Sequence, residues 1–450
     1  MQNKIINIPD KPVVIAGGGW SGLATACFLA EQNIPVTLVE SAKQLGGRAR
    51  KSTSRTQVLD NGQHLMMGAY TELLKLLQQI DVNESDVFLR TPQHLKLFNA
   101  KYLHNLIDLK LPAIRKPFNL LLGLLFCKGL SIKEKFTILY RFDKLLKTPV
   151  EQDKDCSVTE WLATADLPSK YVIFLNALCL AAMNTSAGSA SAYSFQHVLN
   201  ETFNGPQGST DLLIPAVNLD NVFPTPASVY LQNKQTSILA STKATAIKHH
   251  ETTATHLVCD DQELEASAIV LATPAHISSK LLKPLDDCNE LCHHLDQFRY
   301  ESITTVYLRY NDQCHIPENM IGLTNSLSEW VFDRSVADQP GMIAVVISCS
   351  DKHSEIDNKD ICLTIRNELA VVFPDWPKPT ASWVIREKRA TFLCTPEANK
   401  HRPDPKTPIE NLFLSGDYLA TDELFLPATL ETCIRNAKAC AEEVVNYLNQ

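Results

Sequence analysis

Three glycines near the start of the chain have a spacing that suits phosphate binding. They follow the pattern G-x-G-x-x-G within GGGWSG, directly after a short apolar run. In this pattern one glycine permits a tight turn, one lets the backbone approach a pyrophosphate, and one lets a helix pack closely on a strand. Unpaired N–H groups at the start of that helix then face the anion. We predict that a dinucleotide contacts Gly17, Gly19, Trp20, Ser21 and Gly22.

An acidic residue stands where a dinucleotide site needs one. Glu40 follows the last of these glycines by eighteen residues, close to the distance at which a carboxylate accepts hydrogen bonds from ribose hydroxyls. Ser41 comes next, and a second glycine pair ending at Gly47 is followed by Arg48. A plain nicotinamide-binding unit does not need that second pair. We therefore interpret Glu40, Ser41, Gly47 and Arg48 as further cofactor contacts.

Hydrophobic periodicity indicates the elements that hold these residues. Val13–Ala16 is a four-residue apolar run, typical of a strand buried on both faces. From Leu23 onward, apolar residues recur at the spacing of one helix face, and residues 33–35 end that helix. Val36–Val39 is a second apolar run, which ends at Glu40. The order of strand, helix and strand predicts an α/β fold with a Rossmann-like nucleotide-binding domain.

A second candidate segment lies near the end of the chain. The apolar run Leu412–Leu414 leads into Gly416 and Asp417, and a helix is predicted to begin near Thr429 and Leu430. An aspartate at the end of a strand can hydrogen-bond a ribityl chain or a phosphate. A helix N-terminus stabilises negative charge through its dipole and its free N–H groups. We predict that Gly416, Asp417, Thr429 and Leu430 complete the cofactor site.

The second glycine pair with its arginine makes the chain similar to the GG-doublet flavoproteins of the amine oxidase and carotenoid desaturase superfamily. This resemblance implies that the cofactor is FAD. It also implies that the loop containing Gly47 and Arg48 lies along the FAD, with the arginine reaching a phosphate or the flavin edge.

Composition excludes several other classes of function. The 450 residues carry a net charge of −8 without a long basic block, so a nucleic-acid partner is not expected. The thirteen cysteines are scattered, and no signal peptide is recognised, which favours free thiols in the cytoplasm. One cluster, Cys288, Cys292, His293 and His294, lacks a second half-site. We interpret it as part of a helix and predict no metal.

The pattern along the chain predicts a discontinuous cofactor domain. Residues 1–81, 205–274 and 405–450 are expected to form it, whereas 82–204 and 275–404 are expected to be inserts that build an α+β substrate domain. The first insert is predicted to be mostly helical. Its most apolar stretch, Phe118–Phe126, is too short to span a bilayer, for which about 20 residues are needed. It is either a buried helix or an apolar surface that dips into a membrane.

Several stretches, in order along the whole chain, resemble the hydroxysqualene dehydroxylase family of bacterial hopanoid biosynthesis. The C-terminal helix departs from the family pattern, since ETCIRNA stands at 431–437 where the family has an EGAVRSG-like segment. The resemblance is carried by GGGWSGLA (17–24), QLGGRAR (44–50), LDNGQHLMMGAY (59–70), NTSAGSASAYSFQHVL (184–199), GSTDLLIP (208–215), EKRATF (387–392) and LFLSGDYLATDELFLPATLE (412–431).

This resemblance implies an FAD-dependent oxidoreductase that converts hydroxysqualene to squalene. Loss of the hydroxyl as water leaves an allylic cation, which receives hydride from reduced flavin. An unidentified electron donor would reduce the flavin. Because substrate and product are apolar isoprenoids, the protein is expected to be cytoplasmic and peripheral on the inner face of the cell membrane.

The segment at 60–64 is the predicted catalytic region. Gly62 and Gln63 are expected to contact the cofactor, and Asp60 or His64 to supply the proton that the leaving hydroxyl needs. The other interpretation is that Asp60 only fixes the turn and His64 binds a flavin carbonyl. Two alternative functions also remain: another flavin-dependent isoprenoid desaturase or amine oxidase, and a non-enzymatic isoprenoid carrier.

Overall fold

The computed structural model describes residues 8–54, 57–260, 262–421 and 424–450. Residues 422 and 423 of the last family-like stretch lie outside these ranges. The strands are β1 (Val13–Ala16), β2 (Val36–Val39), β3 (Lys51–Ser54), β4 (Gln57–Asp60), β5 (Met66–Met67), β6 (Phe88–Thr91), β7 (His94–Asn99), β8 (His104–Lys110), β9 (Leu212–Pro215), β10 (Ser237–Leu239), β11 (Ala244–His250), β12 (Thr253–Cys259), β13 (Gln262–Glu265), β14 (Ala268–Leu271), β15 (Tyr300–Arg309), β16 (Met320–Thr324), β17 (Trp330–Asp333), β18 (Met342–Ile347), β19 (Ala381–Phe392) and β20 (Leu412–Leu414).

The helices pack on these strands. They are α1 (Trp20–Glu31), α2 (Thr71–Gln79), α3 (Glu84–Val87), α4 (Phe118–Phe126), α5 (Ile132–Lys147), α6 (Val158–Ala163), α7 (Ser169–Met183), α8 (Ala192–Asn204), α9 (Leu219–Val222), α10 (Pro224–Asn233), α11 (Ala275–Leu282), α12 (Asn289–Asp296), α13 (Asn358–Val372), α14 (Pro396–Asn399) and α15 (Leu430–Leu448).

A five-stranded parallel sheet holds the glycine-rich turn. Its strand order is β10-β2-β1-β14-β20, so the order reverses between β1 and β14. All four residues of β1 are buried, as the apolar run Val13–Ala16 predicts. In parallel sheets of this kind, ligands bind beyond the carboxyl ends of the strands where the order reverses. The turn after β1 lies at that position.

Helices cover one side of this sheet, and the small sheet β11-β12-β13 packs against the other. On one side α1 packs against α15 and α10, and nearly every α1 side chain is buried. The N-terminal and C-terminal segments of the chain thereby meet in the same cluster, through residues such as Leu23, Ile434 and Val444. This packing brings the turn after β1 close to the loop after β20.

A second, seven-stranded sheet lies beside the first, in the order β19-β15-β18-β17-β16-β7-β8. Its strands come from both predicted inserts, which supports the prediction that the two inserts form one substrate domain. The expectation that 82–204 is mostly helical was wrong for residues 88–110, which form β6, β7 and β8. This region has the pattern of a strand with one buried face, because burial alternates residue by residue along His94–Asn99. The helical part begins at α4.

The strands of the parallel sheet all come from the three segments predicted to form the cofactor domain. One small sheet, β5-β9-β6, crosses that division because β6 belongs to the first insert. The boundaries at 81/82, 204/205, 274/275 and 404/405 therefore stay a prediction. All thirteen cysteines lie in the described ranges, and all are free thiols.

Candidate active site

Each of the three glycines in the G-x-G-x-x-G pattern is present for a different structural reason. Gly17 has a φ of +112°, and a Cβ built on it would lie 2.4 Å from the carbonyl oxygen of Ala272. A Cβ on Gly22 would lie 1.9 Å from the carbonyl oxygen of Gly17. The fold itself therefore requires these two glycines. At Gly19 a Cβ would meet only the Cα of Gly47, at an ordinary 3.8 Å. The protein alone would tolerate a side chain there, so the space beside Gly19 is open to a ligand.

The N-terminus of α1 faces this open space. Its N-cap is Gly19, which has no side chain to accept a hydrogen bond, and its first turn contains no acidic residue. Trp20 and Ser21 of this turn line the adjoining cavity. Ser21 is anchored below it, since its Oγ lies 2.6 Å from Oγ of Ser415. An uncapped helix start with a bare glycine before it fits a pyrophosphate.

Glu40 is fixed at the tip of β2 by backbone donors. The N–H of Gly18 donates to its Oε2 at 2.7 Å, and the N–H of Ala42 donates to its Oε1 at 2.7 Å. The hydroxyl of Ser41 donates to the same Oε1 at 3.1 Å. Glu40 and Ser41 both line the cavity. A carboxylate held in this way keeps an accepting position on Oε2 for a ribose hydroxyl of an adenosine.

Arg48 and Asp417 bind each other. Nη2 of Arg48 lies 2.7 Å from Oδ2 of Asp417, and Nη1 donates to the carbonyl of Ala390 at 2.9 Å. Burial opposes the charged guanidinium, but the Asp417 carboxylate outweighs it and holds the pKa of Arg48 above its ordinary value. The pair joins the second glycine loop to the loop after β20. Both residues line the cavity, so the pair forms one charged part of its wall.

The segment at 60–64 is held from below by a buried arginine. Nη2 of Arg334 lies 2.9 Å from Oδ2 of Asp60, and Nη1 donates to Oε1 of Gln63 at 2.8 Å. The other Asp60 oxygen accepts the N–H of Leu219 at 2.8 Å. Asp60 is 1% exposed and does not line the cavity, whereas Gln63 does. This geometry favours the alternative interpretation, that Asp60 fixes the turn, and its predicted role in proton transfer stays untested.

His64 lines the cavity, but the hydrogen of its ring is on Nδ1, which bonds to Gly62 and so does not face a ligand. Its Nδ1 lies 3.0 Å from the carbonyl oxygen of Gly62, which can only accept, so Nδ1 carries the hydrogen. Burial lowers the pKa of His64, against the opposing effects of Gly62 and Asp60. The neutral ring then presents Nε2 as an acceptor. In this tautomer Nε2 cannot donate to a flavin carbonyl either, so both roles predicted for His64 stay predictions.

The C-terminal part of the site is fastened by an arginine that the sequence did not single out. Arg402 is 7% exposed, and no carboxylate in the described ranges pairs with it. Its Nη1 donates to the carbonyl of Leu426 at 2.6 Å, and Nη2 donates to those of Leu419 at 2.7 Å and Asp417 at 3.3 Å. The guanidinium also lies over the ring of Phe392, 5.1 Å from its centroid. Arg402 thus holds the loop after β20 at residues 417 and 419 and again at residue 426.

One cavity of about 760 Å³ connects these groups. Gly22 does not line it, because its role is to let α1 pack closely on β1. The predicted cofactor residues that do line the cavity are Gly17, Gly19, Trp20, Ser21, Glu40, Ser41, Gly47, Arg48, Gly62, Gln63, Gly416, Asp417, Thr429 and Leu430. The structure therefore brings together segments that are almost 400 residues apart in the chain.

The other end of the same cavity is an apolar chamber. It is walled by α7, α8 and the second sheet, through Leu178, Ala182, Phe195, Leu199, Phe203, Met320, Trp330, Phe332 and Val346. Polar atoms are few there. Oε1 of Gln93 is buried in this wall without a hydrogen-bond partner in the described part of the chain.

These features fit FAD. A bare glycine and an uncapped helix start suit its pyrophosphate, and Glu40 suits the ribose of its adenosine. The residues at 62–64 and 416–417 line the cavity between this cradle and the apolar chamber. A cofactor extended along the cradle would therefore present its reactive ring to a ligand in the chamber.

The comparisons with known proteins agree with this site. The sequence profile of the flavin containing amine oxidoreductase family matches residues 20–445. The chain therefore belongs to this family of flavoproteins and is an FAD-dependent oxidoreductase. Cyclohexylamine oxidase from Brevibacterium oxydans IH-35A has the same fold, with a TM-score of 0.70 and 16% sequence identity over 98% of this chain and 100% of that one.

More specific similarity is found among curated proteins. The hydroxysqualene dehydroxylase of Sinorhizobium fredii is 24% identical over 98% of this chain and 99% of its own length. That of Rhodopseudomonas palustris is 26% identical over 97% of this chain and 99% of its own length. The 15-cis-phytoene desaturase of Solanum lycopersicum is 24% identical over 97% of this chain and 78% of its own. The resemblance predicted from the sequence motifs is thereby confirmed.

Replacing Gly19 tests where the cofactor lies. We expect the Gly19→Val protein to fold with nearly wild-type melting behaviour but to contain little FAD, because the side chain enters only ligand space. Flavin absorbance per protein measures occupancy. The matched control is Gly188→Val, since a Cβ on Gly188 meets nothing within 4 Å. Full occupancy in Gly19→Val would place the cofactor elsewhere.

Proposed function

We propose that the protein reduces hydroxysqualene to squalene, with loss of the hydroxyl group as water. The observation that carries this proposal is the single cavity that joins a dinucleotide cradle to a long apolar chamber. Full-length relatives named hydroxysqualene dehydroxylase support the choice of substrate. A C30 isoprenoid alcohol needs an apolar enclosure with few polar groups, as this chamber provides.

The chain contributes binding, orientation and exclusion of water. When bound, reduced FAD supplies the hydride that the substrate carbon receives. Gly19, Glu40 and the start of α1 would hold the cofactor, while Arg334 keeps the segment at 60–64 in place beside it. The apolar chamber keeps solvent away from the allylic cation that forms when the hydroxyl leaves, so that water does not recapture it.

The proposal is tested by anaerobic incubation of photoreduced enzyme with hydroxysqualene. We expect one squalene per flavin reoxidised, in a single turnover. A reduced enzyme that leaves hydroxysqualene unchanged would contradict the proposal. If the oxidised enzyme instead takes hydride from another isoprenoid or from an amine, the chain is a desaturase or an amine oxidase. A protein that binds isoprenoids but no flavin would be a carrier.

An exposed apolar surface on α4 and α5 points to where an apolar substrate enters. We define the α4–α5 face by its exposed side chains: Phe118, Leu121, Leu125, Phe126, Ile132, Phe136, Leu139 and Tyr140. Phe126, Ile132 and Tyr140 are each more than 70% exposed. Apolar residues at this density on a soluble surface mark an interaction site. The second interpretation of 118–126, an apolar surface, is the one the geometry favours.

We propose that the occupant of this face is the surface of a lipid bilayer. Arg115, Lys128 and Lys133 are exposed beside it, which suits anionic head groups. The face is also adjacent to the substrate chamber, because Phe142 of α5 packs edge-on against Phe203, which lines the cavity. No helix in the described ranges is long and apolar enough to cross a membrane. The face would therefore lie on the bilayer, not span it.

Two aspartates on this face should release the protein from vesicles. Leu121 and Leu125 are exposed on α4, whereas Leu124 packs against the core and is unsuitable for this test. Leu121→Asp with Leu125→Asp should weaken binding to vesicles of phosphatidylglycerol and phosphatidylethanolamine by at least roughly tenfold, since each leucine loses its burial. Flavin absorbance should not change.

The control for this experiment is Leu363→Asp with Val371→Asp, which alters two exposed apolar residues of α13. It should bind vesicles like the wild type. Sedimentation with vesicles measures both. Equal binding by the α4 variant and the wild type would remove the α4–α5 face from the account.

A further inference from the structure

Glu387 lies where the cofactor cradle meets the substrate chamber. It belongs to β19, within the EKRATF stretch, for which no role was predicted. Glu387 lines the cavity together with Ile385 on the same strand and Ile303 on β15 opposite. Nδ2 of Asn61 donates to Oε2 of Glu387 at 2.9 Å and to the carbonyl of Arg48 at 2.9 Å. One amide thus connects Glu387 to both segments that border the cofactor.

Among the described residues, five acidic side chains line the cavity, and four of them are engaged. Glu40 accepts two backbone N–H groups, and Asp417 is paired with Arg48. Glu201 and Glu431 are both paired with Arg435. Burial raises the pKa of Glu431, but its two oxygens accept the N–H groups of Glu72 and Leu73 and the Nε–H of Arg435, so neither is free to face a ligand. The fifth acid is Glu387.

Glu387 has no cation beside it in the described part of the chain. It accepts hydrogen bonds from the neutral amide of Asn61 and, at 3.3 Å, from the N–H of Arg389. The guanidinium of Arg389 is turned to His276, whose Nε2 lies 2.9 Å from its Nη1. In the described part of the chain Glu387 is therefore the acid of this cavity that forms no ion pair and accepts only one strong hydrogen bond, from a neutral amide, so its carboxyl can turn to a ligand.

We propose that Glu387 is the acid that protonates the leaving hydroxyl of the substrate. This inference rests on the proposed function. In the step, the Glu387 carboxyl gives its proton to the hydroxyl oxygen, the C–O bond breaks with both electrons going to oxygen, and water leaves. The carbon receives a hydride, with its two electrons, from the reduced flavin, which is thereby oxidised. The carboxylate regains a proton from solvent before the next turnover.

The same carboxyl has a second use in this step. Once it has lost its proton, Glu387 is an anion beside an allylic cation in a water-excluding cavity. Opposite charges in such a site attract strongly, and the anion is already in place when the cation forms. Asn61 holds the carboxyl during this change without a change of its own charge. Neither His64, with its hydrogen turned to Gly62, nor the buried Asp60 can supply both functions.

Glu387→Gln tests the role with little change of shape. The amide keeps an acceptor for Asn61 but cannot give a proton. In the photoreduced holoenzyme, reoxidation by hydroxysqualene should slow by roughly 10²–10⁴-fold. Flavin occupancy should stay at the wild-type value. Substrate binding, followed in the oxidised holoenzyme by the change in flavin absorption, should also be unchanged within about threefold. The surface variant Glu397→Gln serves as the control.

Glu387→Asp separates chemistry from structure. It retains a carboxyl, and we expect it to be at least tenfold faster than Glu387→Gln. The proposal is overturned if Glu387→Gln reacts within threefold of the wild type, or if the Asp and Gln variants are equally slow. A wild-type enzyme that leaves hydroxysqualene unchanged would instead overturn the proposed function, so the two failures are distinguishable.

Discussion

Replacing Asp60 by alanine is expected to lower the free energy of unfolding by about 3–5 kcal/mol, because it removes one partner of a buried ion pair. Asp60 is 1% exposed and Arg334 3% exposed, and their charged atoms lie 2.9 Å apart. Without Asp60 the Arg334 guanidinium stays buried without a counter-charge. The N–H of Leu219 also loses its acceptor. Denaturant unfolding of the FAD-loaded protein measures the loss.

Two further variants show whether the cause is the buried charge. Asp60→Ala combined with Arg334→Met should recover part of the lost stability, because no unpaired charge remains. Glu265→Ala, which breaks an exposed ion pair with Lys11, should not change the unfolding midpoint measurably. If Asp60→Ala is as stable as the wild type but has lost the chemical step, Asp60 is catalytic as first predicted, and the positioning role is wrong.

Replacing Arg402 by methionine is expected to be comparably damaging. The carbonyl oxygens of Asp417, Leu419 and Leu426 would lose their donors in a buried site. Burial lowers the pKa of Arg402 to about 10, so it is still charged at neutral pH, and hydrogen bonds to charged groups are among the stronger ones. We expect a loss of about 3–5 kcal/mol in unfolding free energy. FAD should also dissociate faster, because Asp417 and Leu426 line the cavity.

A surface arginine with similar bonds provides the control for Arg402. Arg386 also donates to three backbone carbonyls, those of His353, Ser354 and Ile356, but at the outer surface of the second sheet. Arg386→Met should leave FAD dissociation at the wild-type rate. If Arg402→Met and Arg386→Met retain FAD equally well, the buried arginine does not hold the cofactor loops.

The parts of the site that the sequence predicted are those with local causes. The spacing of Gly17, Gly19 and Gly22 follows from a turn and a helix start within six residues, and Glu40 follows from the length of one helix and one strand. The same reasoning identified the strand β20 and the start of α15. That these elements lie beside the first segment follows from the strand order of a parallel sheet.

What the sequence did not predict depends on contacts between distant segments. Arg334 and Glu387 lie in the second insert, and both act on the segment at 60–64, which is far away in the chain. Arg402 acts on carbonyls 15 to 24 residues further along, but the loop that carries them has no periodic pattern that predicts the contact. Nothing local marks an arginine as buried or a glutamate as free of cations. The EKRATF stretch was a signal for Glu387, but only the packing of β19 beside the segment at 60–64 gives it a role.

The hydrophobic pattern also left one alternative that only tertiary structure could decide. Phe118–Phe126 is apolar on nearly every side, so its sequence alone cannot distinguish a buried helix from a surface one. In the fold, Asn119 and Gly123 face inward and Phe118 and Phe126 face outward. A small residue is needed at 123, because a Cβ there would lie 2.4 Å from Leu111.

The central claim, transfer of hydride from reduced flavin to the carbon that loses its hydroxyl, is tested most directly with an isotope. The enzyme is reconstituted with reduced 5-deaza-FAD that carries two deuterium atoms at C5, a position that does not exchange with solvent. It is then mixed with hydroxysqualene in ordinary water, without oxygen. The account predicts squalene with one deuterium per molecule, at the carbon that held the hydroxyl. Squalene without deuterium, or no squalene at all, would contradict it.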